Sequence, residues 1–172
     1  MLLAGLLAGC SQNDGAASGA AGMSEEQATL SARLPLKVEG IPLEAQIAIT
    51  RAEQSRGLMY REALGENEGM LFPMKEPGPQ SFWMKNVPIG LDIAYFDDVG
   101  ALVQVHRARP HDLSPLPSRT DDIQFVLEMR RGWFAEKGLR PGAQLDLALV
   151  AEALAARGAE PAAYGLGKAE AE

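Results

Sequence analysis

Apolar and polar residues alternate along much of this chain in short runs, the pattern of half-buried β-strands. In residues 41–50 the apolar side chains of Leu43, Ala45 and Ile47 are separated by more polar neighbours, the period of two expected where one face of a strand is buried. Further short apolar runs predict strands at 69–74, 80–84, 91–96, 101–108, 123–129 and 143–150.

Two short helices interrupt the predicted strands. Thr50 followed by Glu53 fits a capping box, which predicts a helix from residue 51. Residues 132–138 predict one or two helical turns ending at Gly138. Together these elements predict a mainly β fold with two short helices, a compact single-domain β-sandwich or open barrel.

The chain divides into four predicted segments. A length of 172 residues allows one ordinary core and does not require a second domain. We expect a lipoprotein signal segment at 1–9, a lipidated Cys and flexible tether at 10–33, a globular β-rich domain at 34–150 and an Ala-rich tail at 151–172. The tail is expected to be a frayed helix followed by loose chain.

The N-terminal segment resembles the lipobox of bacterial lipoprotein signal peptides. Leu7, Ala8 and Gly9 precede Cys10, the one cysteine of the chain, and small polar residues follow it as a tether would. The resemblance implies acylation of Cys10 and anchoring to a membrane of the cell envelope, facing the periplasm. Ser11 favours the outer membrane over the inner one.

Two features bear on this lipoprotein interpretation. Residues 1–9 contain neither Lys nor Arg, although a secretory signal normally begins with one, so we expect the native start to lie upstream. In the alternative interpretation Cys10 is an incidental cysteine and Met23 is the start.

Charge and cysteine content exclude several other classes. The net charge of −7 comes without a basic block, so nucleic acid is not an expected partner. With one cysteine, the chain cannot form an intrachain disulfide, a cysteine-ligated zinc site or a CxxC redox pair. We expect no cofactor.

Several motifs together resemble one family of bacterial and archaeal proteins. In chain order they are "SRGLMYREAL", "GMLF", "FWMKNVPIGLDIAYFDDVG", "FVLEM" and "KGLRPG". Over roughly residues 36–150 the chain is similar to the family named domain of unknown function 192. That resemblance implies a small β-rich domain and no established activity. The chain departs from the family pattern at Val87, Gly90 and Ala143, where Thr, Pro and Asp are usual.

Two acids lie within apolar runs and are expected to be buried. Along 91–96, Asp92 shares a strand face with Ala94 and Phe96, and along 123–129, Glu128 shares a face with Val126. A buried carboxylate without a partner costs several kcal/mol or takes up a proton. Each acid therefore needs a donor.

The cations nearest in the predicted fold are the candidate donors, namely Arg56, Arg61 and Lys85. We expect an arginine-to-carboxylate bridge that ties the first helix to the sheet. The same set, with Asn86 at the turn, is also the candidate pocket or buried polar network. Asn86 is expected to hold left-handed turn geometry, and Trp83 is expected in the core.

Metal binding and classical catalytic motifs have little support. His106, His111 and Asp112 lack a recognisable metal-ligand spacing, so no metal site is expected.

The sequence leaves three functions open: an envelope binding or accessory module for a small molecule, glycan or protein, an acid–base enzyme using Asp92 and Glu128, and a structural lipoprotein. The first is favoured.

Overall fold

The computed structural model describes residues 32–167. These residues form eight strands, three α-helices and one 3₁₀ helix. The strands are β1 Leu34–Val38, β2 Ile41–Ile47, β3 Glu68–Gly78, β4 Ser81–Phe82, β5 Leu91–Asp97, β6 Leu102–Ala108, β7 Leu116–Pro117 and β8 Ile123–Arg130. The helices are α1 Arg51–Arg56, α2 Trp133–Glu136 and α3 Leu147–Ala156, with the 3₁₀ helix at Pro161–Tyr164.

Six strands form one sheet in the order β1-β2-β3-β8-β5-β6, and β4 pairs with β7 in a small second sheet. Neighbouring strands of the large sheet are antiparallel except β2 and β3, which are parallel and connected through α1. Isolated bridges join Val38 to Leu145 and Ala101 to Gln144, so residues 144–145 link the two edges of the sheet.

The mainly β prediction is therefore confirmed. The described residues form an open sheet and no closed barrel, and they contain three short α-helices where two were expected. The predicted capping box of α1 is present: the Thr50 hydroxyl accepts from the Glu53 N–H at 3.2 Å, and the Glu53 carboxylate accepts from the Thr50 N–H at 2.9 Å.

Each face of the sheet carries its own apolar core. One core includes residues of α2, α3 and the 3₁₀ helix, such as Phe134 and Leu154, and we call this side of the sheet the helical face. The other includes residues of the loops after α1 and β4, such as Leu58 and Met84, and we call it the loop face. The alternation of side chains along each strand thus decides which core a residue enters.

The strand predicted at 143–150 is wrong, because α3 begins within it. Asp146 is the N-cap of α3, and its carboxylate accepts from the Leu149 N–H at 3.2 Å. Val150, Ala153 and Leu154 are the buried residues of the helix, a spacing of three and four that suits a helix. Leu145, Leu147 and Leu149 occupy alternate positions, so the segment also carries the period of two that is typical of a strand.

Residues 151–167 pack on the helical face rather than forming a loose tail. Tyr164 and Leu166 are 3% and 7% exposed. The backbone carbonyl of Tyr164 accepts from the Gln124 side chain at 2.6 Å, which fixes the 3₁₀ helix to β8. Within the described chain no helix is long and apolar enough to cross a bilayer.

Candidate functional site

A cavity of about 350 Å³ opens on the loop face of the sheet. Its walls come from α1 and the loop after it, from β3 and from residues 80–87, and its one residue from β8 is Glu128. We call it the Glu128 pocket. The lining residues are Arg51, Gln54, Ser55, Arg56, Gly57, Leu58, Met59, Phe72, Met74, Gln80, Ser81, Phe82, Trp83, Lys85, Val87 and Glu128.

Glu128 is a buried acid without a partner in the described structure. Its cross-strand neighbours are Met70 on β3 and Ile93 on β5, both apolar, and the residue is 5% exposed. No residue between 32 and 167 gives its carboxyl group a hydrogen bond or an ion pair. Burial raises the pKa of Glu128 to about 8, so the carboxyl group is mostly protonated at neutral pH.

The pKa of the buried Tyr95 is affected by the nearby Glu128 carboxyl group. The tyrosine hydroxyl donates to the Leu116 carbonyl at 2.5 Å. Its pKa is raised, first by burial and then by the nearby Glu128 carboxyl group. The burial of Tyr95 and Glu128 thus favours the neutral form of both groups.

Three cations line the same pocket. None of the salt bridges between described residues involves Arg51, Arg56 or Lys85. Lys85 lies over the Trp83 ring, with its Nζ 5.2 Å from the ring centroid. With Glu128 mostly neutral, the pocket carries an excess of positive charge on a chain whose net charge is −7.

Hydrogen bonds made by three residues with left-handed backbone geometry connect the loops around the pocket. Tyr60, Asn86 and His111 have φ of 62°, 57° and 58°. The Tyr60 N–H donates to the Asn86 carbonyl at 2.7 Å, the Asn86 amide donates to the Tyr60 hydroxyl at 2.8 Å, and the His111 N–H donates to the Val87 carbonyl at 3.0 Å. Such strain tends to collect at functional sites, where it holds loops in place.

This loop geometry gives a first prediction. Asn86→Gly removes the bond to Tyr60 but keeps an easy left-handed backbone, so we expect it to lower the free energy of unfolding by about 1 kcal/mol. Asn86→Ala also forces alanine into the left-handed region, which adds roughly 1 kcal/mol or more. Urea unfolding of both variants measures the difference, and equal stabilities would contradict the importance of the backbone geometry.

The structure brings some of the sequence-predicted residues together and separates others. Arg56, Lys85 and Glu128 line one pocket. Asn86 follows Lys85 and has the left-handed backbone geometry that was expected. Arg61 is not part of the lining, because its guanidinium donates to the Gln46 side chain at 2.7 Å.

Asp92 lies on the opposite face of the sheet, so it does not belong to this pocket. Its cross-strand partner on β8 is Met129, which faces the helical core. Asp92 is 1% exposed, as its position predicted. One carboxylate oxygen accepts from the Phe134 N–H at 3.3 Å and the other has no partner within residues 32–167. Asp92 thus caps the first turn of α2, where Gly132 offers no side chain.

Two expectations about the acids need correction. Asp92 has no ion pair with Arg56, Arg61 or Lys85 in the described chain, because those cations lie on other elements and Asp92 faces α2. For the same reason Asp92 and Glu128 cannot act as an acid–base pair in one cleft. The buried arginine bridge that does form joins Glu53 of α1 to Arg157 after α3.

A second prediction follows for Asp92. Asp92→Asn keeps an oxygen that accepts from the Phe134 N–H, so we expect a loss of about 1 kcal/mol or less. Removing one partner of a buried ion pair would cost about 3–5 kcal/mol. Denaturant unfolding separates the two, with Asp92→Ala as the comparison that removes the acceptor. A loss above about 3 kcal/mol for the asparagine variant would reject the capping role.

The family of the chain follows from its similarity to a described protein family. The model of DUF192, described as uncharacterised ACR, matches residues 34–147. The chain belongs to the DUF192 family. No curated protein matches it.

Two solved structures resemble this DUF192 chain. A candidate transcription regulator from Sinorhizobium meliloti 1021 is 30% identical with a TM-score of 0.61, over 66% of this chain and 91% of that one. A protein of unknown function from Novosphingobium aromaticivorans DSM 12444 is 31% identical with a TM-score of 0.63, over 73% and 99%. These matches support the fold and assign no activity.

Most residues that line the DUF192 pocket were not indicated by the sequence, among them Arg51 and Gln80, and Trp83 was misplaced. Arg51 lies one helical turn before Ser55, and both line the pocket, but neither residue stands out in the sequence. Gln80 left no signal. Trp83 was expected in the core but is 48% exposed, whereas its neighbour Met84 is fully buried. Val87 lines the pocket wall with an apolar side chain.

The histidines of this DUF192 domain are engaged in local structure. Among residues 32–167, no three side chains of His, Cys, Asp or Glu converge as metal ligands. His106 Nε2 lies 2.8 Å from the Gln104 side-chain nitrogen and 2.9 Å from the Pro117 carbonyl oxygen. His111 is exposed at a loop. The expectation of no metal and no cofactor stays a prediction.

Proposed function

We propose that this domain is a binding module whose Glu128 pocket holds a small polar molecule. The observation that supports it is the combination, in one cavity, of a buried acid and three cations that have no salt bridge or carboxylate partner among residues 32–167. Among the described residues the acid has no hydrogen-bond donor and the three cations have no carboxylate partner, and a ligand can supply both kinds of contact. The locked loops around the pocket lower the entropy cost of binding.

The two other functions considered from the sequence have less support. An acid–base enzyme that used Asp92 with Glu128 would need both groups at one reacting bond, and the sheet separates them. A purely structural role does not explain a cavity with an unpaired acid, because filling it with apolar side chains would be more stable.

We also propose that the domain works at the cell envelope as a lipoprotein. The support is the lipobox-like run that ends at Cys10 and the small polar residues after it; these lie outside the described residues. A lipid on Cys10 would hold the domain at the membrane with its pocket free to meet molecules of the periplasm. Serine at position 11 favours the outer membrane.

Lipid labelling tests this localisation. In cells that produce the native precursor, we expect Cys10→Ala to abolish incorporation of a labelled fatty acid and to release the exported protein from the membrane fraction. Cys10→Ser serves as a second variant of nearly native shape. Labelling that persists in both variants would reject the lipoprotein assignment.

A thermal-shift screen against periplasmic metabolites and cell-wall fragments tests the binding function. A ligand that binds the folded chain raises its Tm. We expect at least one such compound, with the shift lost in Glu128→Leu and in Lys85→Met and kept in Lys37→Met, an exposed cation on β1. A shift that survives both pocket variants would place binding elsewhere.

A further inference from the structure

We infer that the ligand of the Glu128 pocket is an acidic carbohydrate, a hydroxylated ring that carries a carboxylate or phosphate. This inference rests on the proposed binding function and names the ligand class. It follows from three separate properties of the pocket: the charge of its rim, the hydrogen-bonding state of its floor and the chemistry of its walls.

The charge of the lining favours an anion. The side chains of Arg51, Arg56 and Lys85 are exposed, and the described structure gives none of them a carboxylate partner. Guanidinium groups bind carboxylates and phosphates through paired hydrogen bonds, and the lysine adds a point charge. An acidic group at the rim would be attracted, while a cationic ligand would be repelled by three like charges.

The floor favours a hydroxyl group. Glu128 is 5% exposed and has no hydrogen-bond partner among residues 32–167, so its carboxyl group is mostly protonated at neutral pH. A protonated carboxyl group both donates and accepts hydrogen bonds. A hydroxyl group has the same double capacity, so one hydroxyl can satisfy both atoms of the acid. An anionic group of the ligand at this depth would lack a counter-charge. An ammonium group would find a counter-charge only after Glu128 had lost its proton.

The walls alternate between apolar and polar surface. Trp83 presents an exposed ring at the rim, and Phe82 packs edge-on against Phe72 at 5.1 Å between centroids. Gln80 and Ser81, the two polar residues directly before Phe82, line the same pocket. A sugar ring matches this arrangement, with C–H faces for the aromatic rings and hydroxyl edges for the polar groups. A volume of about 350 Å³ fits one or two rings.

Trp83 supplies a direct readout of occupancy. The chain has two tryptophans, and Trp133 is fully buried, so acrylamide quenches mainly the fluorescence of Trp83. We expect D-galacturonate to protect the full chain from quenching at millimolar concentrations, because a single ring makes few contacts. D-Galactose, which lacks the acid, and D-galactosamine, which carries a cation, should bind at least about tenfold more weakly.

Variants of the full chain separate the roles of the floor and the rim. We expect Glu128→Gln to keep the affinity for D-galacturonate within about threefold, since an amide also donates and accepts. Glu128→Leu and Lys85→Met should each weaken it at least about tenfold, and Lys37→Met should leave it unchanged. Trp83→Phe removes the signal and identifies its source.

The failure of this inference can be told from the failure of the proposed function. Protection by D-galactosamine that is lost in Glu128→Gln would show an ionised floor and a cationic ligand, which overturns the ligand class and leaves the binding function intact. No protection by D-galacturonate also overturns the class. If, in addition, no compound of the thermal-shift screen gives a shift that depends on Glu128 or Lys85, the binding function itself is rejected.

Discussion

Replacing Arg157 with methionine is expected to lower the free energy of unfolding by about 3–5 kcal/mol. The Arg157 guanidinium donates to Glu53, and the two side chains are 4% and 5% exposed. The variant leaves a buried carboxylate held only by the backbone N–H groups of Ile49 and Thr50, at 2.8 and 2.9 Å. Urea unfolding monitored by circular dichroism measures the loss.

The double variant with Glu53→Gln provides the control. Because the two residues are coupled, removing both charges should recover part of the loss, whereas unrelated residues would simply add their costs. Arg140→Met, an exposed arginine after α2, should change stability little. A loss below about 1 kcal/mol for Arg157→Met would mean that the ion pair does not hold α1 to the end of α3.

Acid should act on the same pair. Burial alone raises the pKa of Glu53, but the hydrogen bonds from Thr50, Ile49 and Arg157 outweigh it and hold the pKa below its usual value. A depressed pKa gives stability that is present above the unfolded value and lost as pH falls through the folded value. The penalty of Arg157→Met should therefore be largest near neutrality and shrink in acid.

Glu128→Gln is expected to stabilise the chain, by about 3 kcal/mol at pH 7. The pKa of Glu128 is about 8 in the folded chain against 4.5 for an ordinary glutamate. As pH rises, the unfolded chain releases this proton first, so ionisation favours unfolding and the parent loses stability between those two values. Glutamine has the same shape and no proton to lose.

The dependence on pH identifies the cause. We expect the two proteins to differ little near pH 4 and to diverge as pH rises towards 8, with all other titratable groups shared and therefore cancelling. Denaturant unfolding at several pH values measures the divergence. A difference that stays constant from pH 4 to pH 8 would show that folding does not raise the pKa of Glu128. A stabilised variant would fit a residue retained for a ligand at a cost in stability.

Local pattern in the sequence was enough to predict burial at single positions. The period of two placed Asp92 with Ala94 and Phe96, and Glu128 with Val126, and the structure agrees. The capping box of Thr50 and Glu53 was equally readable. These predictions succeed because each depends on residues a few positions apart.

Relations between distant elements were not readable. That Asp92 and Glu128 face opposite sides depends on the register of β5 against β8, where Asp92 is opposite Met129. A one-residue shift would reverse the result. The ion pair of Glu53 and Arg157 joins residues that are 104 positions apart, and no local sequence pattern indicates it. Asp146 could be read either as a strand residue or as an N-cap, and tertiary packing of α3 decides.

Two-dimensional NMR of the ¹⁵N-labelled full chain, titrated with D-galacturonate at neutral pH, tests most directly whether the Glu128 pocket binds a small acidic molecule. We expect saturable shifts of the Trp83 indole N–H and of the backbone N–H groups of Lys85 and Glu128. The signals of Asp92 and Phe134, on the opposite face of the sheet, should stay unchanged. No shift at the pocket, or shifts centred on Asp92 and α2, would contradict this expectation.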